Sequence, residues 1–386
     1  MERVKNQQDI FASLLDKKKV KLPKAQKTRI KTLFIVISGI IVKESVNLNK
    51  VKNQVGAITG KTTTLANSCY RRLTRFFDEG FCQRVLWKWI LRAVIGELIG
   101  RLDKRKGNRY VLMDATCWEF GKVKFHFLTL SVLFEGVSIP FFLVNLSKKG
   151  CSNGGERMRL LQMANLLYGL SGMTLIADRE YVGRQWFVDL VEKLGLHFVI
   201  RLWETDYKKE FSEQKSHYSQ TLRKIRLGKT VDVPLLIEGR AFRFIGTRNQ
   251  SPEKQDDDLV LLLTNLAIDK KRVIDIYSLR WHIDGAARAG LFKFLKTNGF
   301  CLEDMSLKNP AKVRLMVCVI IACYVLCVCE GIRHFKKIMI RKKTRTRYES
   351  IFRRGYSVFC QFCQKIELFL GWMMANLGKP IRYASP

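Results

Sequence analysis

Apolar positions change their period along this chain, and the changes mark out its elements. Up to about residue 105 they recur at helical spacing, in D-I-F-A-S-L-L, L-F-I-V-I-S-G-I-I-V, C-Y-R-R-L-T-R-F-F and V-L-W-K-W-I-L-R-A-V-I-G-E-L-I-G-R-L, which predicts several amphipathic or buried helices. From Asn108 to Leu146 the period shortens. R-Y-V-L-M-D-A-T reads as a short strand delivering Asp114 at its end, and K-V-K-F-H-F-L-T-L-S-V-L-F and V-S-I-P-F-F-L-V-N-L as two more around a turn at Glu135 and Gly136. A helix is expected over Glu156–Tyr168, then a buried strand, Met173–Asp178, ending in a second acid. D-R-E-Y-V-G-R-Q-W-F-V-D-L-V-E-K-L-G and the strand H-F-V-I-R-L come next. Acids at the ends of neighbouring strands can converge at a sheet edge. Between Trp203 and Asp258 the helix–strand alternation lapses into short strand candidates, V-D-V-P-L-L-I and F-R-F-I-G, and a polar loop from Asn249. Leu259–Thr264 resumes as a strand before a helix bearing Tyr277.

The fifteen uncharged residues from Leu315 to Cys329 fall short of the roughly twenty a membrane span requires, so a buried core helix is expected there and no membrane partner. Leu33–Val42 reads as core too. With 386 residues and 47% apolar residues, the chain can build two or three domains around substantial cores. Its charge then narrows the partner. Sixty-nine Lys and Arg against 34 Asp and Glu give +35, spread over the whole length, which favours a polyanion with steeply salt-dependent binding.

Eleven cysteines, an odd number lying mostly in apolar runs, read as reduced thiols of a cytosolic protein. Cys360 and Cys363 form a C-x-x-C with Cys323, Cys327 and Cys329 upstream, but the second, similarly spaced pair that a structural zinc site wants is missing, with only His334 between. G-A-I-T-G-K-T, Gly56–Thr62, has three residues between its glycines where a phosphate-binding loop needs four, which excludes ATP binding of that kind. None of the five His residues has a partner suggesting nucleophilic catalysis.

The chemistry concentrates in Y-S-L-R-W-H-I-D, Tyr277–Asp284, and L-F-K-F-L-K, which ends at Lys296. At about 100° per helical residue, Tyr277, Arg280 and Asp284 share a face. A guanidinium clamps phosphate oxygens, a phenol donates to them, and a carboxylate holds a hard divalent cation, so the face suits a phosphodiester. The stretch resembles the Y-x(2)-R-x(3)-E-x(6)-K signature of DDE transposases of the insertion-sequence-four group, and D-R-E-Y after Asp178 resembles that group's second motif. Asp284 stands where the group has Glu, and Leu291 where it has Lys. Removing Gly285–Ala289 would restore the spacing from Asp284 to Lys296, so a five-residue insertion is read directly after the acid. Such an insertion rotates the downstream residues by roughly 140° net on a continuous helix, and with Asp one methylene shorter than Glu it predicts impaired metal binding at the third ligand.

The resemblance, over roughly residues 45 to 355, implies an α/β fold: a ribonuclease-H-like mixed sheet with a β-rich insertion, plus helical N-terminal and C-terminal regions. The expected divisions are 1–105, helical, basic and DNA-binding; 106–202, first part of the core; 203–258, the β-rich insertion, which helps to close over DNA; 259–300, the rest of the core; and 301–386, a helical region suited to dimerisation. It implies Asp114, Asp178 and Asp284 as the catalytic and metal-binding triad for two Mg²⁺ or Mn²⁺ ions, with Tyr277, Arg280, Lys296 and Arg179 on DNA. Lys148 and Lys149, in the loop before Glu156, are open to two readings, phosphate contacts or a solvated basic loop. Trp186, Trp203 and Trp281 are candidates to stack on a displaced base, with core packing favoured for the first and last. The implied partners are terminal inverted repeats, target DNA and a second copy of the chain in a paired-end complex, in a nucleoid-associated cytoplasmic setting. Two other readings stay open: a transposase-derived DNA-binding protein without catalysis, and a structure-selective nuclease.

Overall fold

The computed structural model describes residues 24–90, 110–120, 123–134, 137–146, 148, 150–210, 215–248, 258–280, 299–334 and 349–376. They divide between two compact units, one taking in the described residues of 107–117 and 125–287, the other those of 1–106, 118–124 and 288–386.

The N-terminal helices are α1 (Lys24–Lys43), α2 (Leu48–Thr59) and α3 (Ala66–Asp78). The apolar run Leu33–Ile37 buries the middle of α1 completely. Helix α2 starts where the Asn47 side chain accepts the Asn49 N–H, and stops at Gly60, whose φ of 68° is the left-handed conformation that suits glycine. In α3, Cys69, Leu73, Phe76 and Phe77 form the buried stripe, leaving Asn67, Ser68, Arg71 and Arg75 exposed.

The other unit is built on an eight-stranded sheet. Its elements are β1 (Tyr110–Phe120), β2 (Val123–Phe134), β3 (Val137–Asn145), α4 (Gly154–Tyr168), β4 (Thr174–Ala177), α5 (Arg184–Glu192), β5 (His197–Arg201), α6 (Glu204–Glu210), α7 (Lys215–Arg226), β6 (Val231–Ile237), β7 (Arg240–Arg248), β8 (Leu259–Thr264) and α8 (Lys270–Ser278). The strand order is β3-β2-β1-β4-β5-β8-β7-β6. At its centre β1, β4 and β5 run parallel, and β4 and the Phe198–Ile200 stretch of β5 are buried, as central parallel strands covered on both faces must be. On the far side, β8 lies antiparallel to β5, pairing Val199 with Thr264. The result is a mixed α/β sheet with flanking helices, consistent with the ribonuclease-H-like core expected above.

Two sequence-based expectations need correction. Strand β1 does not end at Asp114 but continues to Phe120; its pairing with β4 stops at Met113, so the acid sits where β1 outruns its neighbour. The segment after Trp203 is not only β-rich. It opens with α6 and α7, because Tyr218, Leu222 and Ile225 recur at helical spacing and the latter two are buried. The next strands, β6 and β7, form a hairpin whose two turn residues, Glu238 and Gly239, both take positive φ (49° and 73°), the backbone that matches strand twist. Pairing through β8, this hairpin extends the core sheet.

The C-terminal helices, α9 (Pro310–Arg333), α10 (Ile351–Cys363) and α11 (Ile366–Asn376), belong to the same unit as α1–α3. Asn309 caps α9 with Pro310 at its first position. The helix is long and apolar enough to cross a membrane, yet its most apolar window is wholly buried in the protein. Gly331 and Gly355 let α9 and α10 approach backbone to backbone, since a Cβ on either would overlap a carbonyl of the opposite helix.

Candidate active site

The sheet itself brings two acids together. Parallel pairing aligns Met113 of β1 with Ala177 of β4, and Asp114 and Asp178 are the next residues on each chain. Neighbouring strands lie about 4.8 Å apart, so both carboxyl groups leave the sheet at one level. Asp114 accepts the Ala115 N–H at 2.9 Å. Asp178, with its side chain 27% exposed, is held from several sides. Its Oδ1 accepts the Arg179 N–H at 2.8 Å and the Tyr277 hydroxyl at 3.2 Å, and its Oδ2 lies 3.4 Å from the Arg280 guanidinium.

Tyr277 and Arg280 come from the end of α8, which Asp269 starts by accepting the Lys271 N–H. The regular helix stops at Ser278, short of the continuous face expected through Asp284. Leu279 and Arg280 bond back three residues, to Ile276 and Tyr277, tightening the last turn. That turn still presents both side chains to Asp178. Burial, and then the charge of Asp178, push the Tyr277 phenol well above its ordinary range, so it is a proton donor at any physiological pH.

Two features escaped the sequence reading. Arg157 of α4, only 5% exposed, makes no ion pair among the described residues. Its guanidinium donates to Ser152 Oγ (3.0 Å) and to the carbonyls of Ser152 (2.5 Å), Glu180 (2.7 Å) and Val182 (3.1 Å). It also lies over the Tyr181 ring, 5.2 Å from the centroid. Tyr181 is fully buried, and burial, followed by the negative charge of Asp114, raises its phenol far above normal. A signal for Arg157 was present: it is in phase with Leu160, Leu161 and Ala164, the buried stripe of α4. The second feature is Arg201, buried at the end of β5 and donating to the Leu259 carbonyl at 2.9 Å.

Beside Asp178 the Arg179 guanidinium stacks 3.8 Å over the ring of Trp203, which is 44% exposed. These two, with Arg201, Arg226 and Asp258, line a cavity of about 430 Å³. Trp186, by contrast, is core. Lys148 pairs with Glu156 at 2.7 Å, the acid that also completes the capping box of α4 with Asn153. Asp284, Lys296, Lys149 and Trp281 lie outside the described residues.

The donor set fits a hard cation. A carboxylate offers about four acceptor sites, and Asp178 uses two on Oδ1 and one on Oδ2, which leaves Oδ2 open as a single-oxygen ligand at the level of Asp114. Among the described residues no three His, Cys, Asp or Glu side chains converge as a metal site, the cysteines of α9 and α10 included.

The transposase DDE domain family matches residues 105–326, more than half of the chain. Among curated proteins nothing matches. Among solved structures, the synaptic complex of a piggyBac transposase with hairpin DNA is similar over 91% of this chain and 76% of that one, at 9% identity and a TM-score of 0.45.

Proposed function

Because the chain belongs to the transposase DDE domain family, whose members in general use divalent metal ions, we propose that it is a DNA transposase of the insertion-sequence-four group that cuts and rejoins element ends. The observation that carries this reading is that Asp114 and Asp178 each directly follow the last paired residues of β1 and β4, Met113 and Ala177, with Tyr277 and Arg280 closing on the second acid.

In this reading Asp114, Asp178 and Asp284 hold two Mg²⁺ or Mn²⁺ ions. When bound, the ions would activate the attacking oxygen, stabilise the leaving 3′ oxygen and neutralise phosphoryl charge. The protein's own part is positioning. Tyr277 stays protonated and fixes the Asp178 carboxylate. Arg280, poised on Oδ2, is the group to engage a non-bridging phosphate oxygen when DNA arrives, since guanidinium matches phosphate in a two-pronged bond. Arg179 and Trp203 offer a cation and an aromatic face to a displaced nucleotide in the adjoining cavity. The exposed side of α3, carrying Arg71 and Arg75 with no acid before Asp78, is a surface for duplex DNA. Paired ends would be held by two copies of the chain.

The test is nicking of duplex DNA bearing the matched terminal repeats, in Mg²⁺ and in Mn²⁺. Wild type should cut, while Asp114→Asn and Asp178→Asn should bind the same DNA and leave it intact. A second reading, DNA binding without catalysis, is favoured by the Asp at position 284 and the insertion after it. It predicts salt-sensitive binding and no cleavage in either metal. A chain lacking Gly285–Ala289 separates the two causes of low activity: a gain in cutting assigns the defect to the insertion, and equal robust cutting shows the insertion to be harmless.

A further inference from the structure

A buried arginine without a carboxylate partner calls for a reason. Removing a guanidinium from water is expensive unless its donors are met, and hydrophobic burial of α4 would be served better by leucine at position 157. Arg157 meets its donors with backbone oxygens, and two of them, Glu180 and Val182, belong to the loop that begins at the second acid. A third, Ser152, belongs to the segment leading into α4. The guanidinium thus ties the approach to α4 to the loop after β4. Between its two loop contacts sits Tyr181, whose ring packs against the cation on one side and whose hydroxyl end feels the charge of Asp114.

We propose that Arg157 is a positioning residue for the acid pair. By holding the carbonyls of Glu180 and Val182 it sets the loop that carries Asp178 and Arg179 and seats Tyr181 near Asp114. Its donors are spent on protein oxygens. This rests on the transposase reading for its purpose, though not for its test.

The experiment uses the full chain and two readouts that need no cleavage. Amide hydrogen exchange would be followed in Arg157→Gln and Arg157→Lys, and Mn²⁺ binding by the loss of its free-ion electron paramagnetic resonance signal. Arg157→Gln should speed exchange at residues 178–183 well beyond any change elsewhere and weaken Mn²⁺ binding by about 10- to 100-fold, the usual effect of losing a partner that orients a ligand. Arg157→Lys keeps the cation and most of the stem, and should recover part of each effect. Unchanged exchange in that loop with unchanged Mn²⁺ affinity overturns the proposal. So does exchange that rises evenly across the sheet unit, which would make Arg157 merely structural. Should Arg157→Gln fail to fold, Ser152→Ala, which removes one 3.0 Å bond, must show the same localised pattern on a smaller scale. A wild type that binds Mn²⁺ but never nicks DNA would sink the transposase reading alone.

Discussion

The bond between Tyr277 and Asp178 can be isolated by Tyr277→Phe, which keeps the buried ring and deletes only the hydroxyl. A hydrogen bond to a charged group contributes about 1.5–3 kcal/mol. The low end applies here for two reasons: the 3.2 Å separation is long for a hydroxyl donor, and the carboxylate is 27% exposed, so water can replace part of what is lost. Oδ1 also retains the Arg179 N–H. The expected loss is therefore about 1.5 kcal/mol, near a tenfold shift in the unfolding equilibrium. Measuring it against Asp178→Ala in a double-mutant cycle cancels the packing change and the stranded charge of Arg280, which appear in both arms. The assay is equilibrium urea unfolding at pH 7, fitted only if the slope m is the same for all four proteins. A coupling energy below about 0.5 kcal/mol, the scatter of independent sites, would show that the phenol and the carboxylate do not meet in solution.

Other expectations rest on single features. Replacing Arg71 and Arg75 by alanine should lower the steepness of log K against log salt by about two, one unit for each lost phosphate contact, as read by fluorescence anisotropy on a repeat-end duplex. Gly355→Ala forces a Cβ into the Cys327 carbonyl, so α9 and α10 must separate; thermal unfolding should show a loss of about 3 kcal/mol, the upper range for overpacking. Burial raises the phenols of Tyr181, Tyr277 and Tyr324 in the folded chain, each from an ordinary 10.0. Below about pH 10 both folded and unfolded chains keep these protons, so stability is intact. Above it the unfolded chain ionises first, and stability should fall by about 1.4 kcal/mol per pH unit for each phenol, measured by urea midpoints from pH 9 upward.

Strands with buried, continuous apolar runs were legible in the sequence. L-I-A of β4, F-V-I of β5 and L-V-L-L-L of β8 could be little else, bounded as they are by polar residues. Their order in the sheet was not, because nothing in L-V-L-L-L says that it will lie antiparallel to β5 and bring the β6–β7 hairpin onto the same sheet. Asp178 was visible as a strand-end acid and Asp114 only as an acid within an apolar run, and the register that levels them exists only once Met113 faces Ala177. Arg157 was hidden by its type. Within E-R-M-R it looks like a solvated helix charge, and only its phase with Leu160 and Ala164 pointed inward. Periodicity carries the helix through Tyr277 on to Asp284, since it holds no information on where i→i−4 bonding gives way to a tighter turn, as it does after Ser278.

That turn also changes what the signature residues signify. Helical spacing groups Tyr277 and Arg280 with Asp284 as a surface for phosphate, yet both make contacts with Asp178. They therefore have work in the fold before any DNA is bound: one donates to a carboxylate beside the sheet edge, and the other balances its charge. A chain that had lost its third ligand would still need them, since removing either leaves Asp178 or a largely buried guanidinium with one partner fewer. Their presence accordingly speaks for the architecture of a DDE core, and on the proposed reading the chemistry is to be judged at Asp284 and the five residues after it. This is why cleavage by the chain lacking Gly285–Ala289 weighs more than any further likeness in sequence: the deletion adjoins the proposed third acid and changes no residue of the Asp178 cluster.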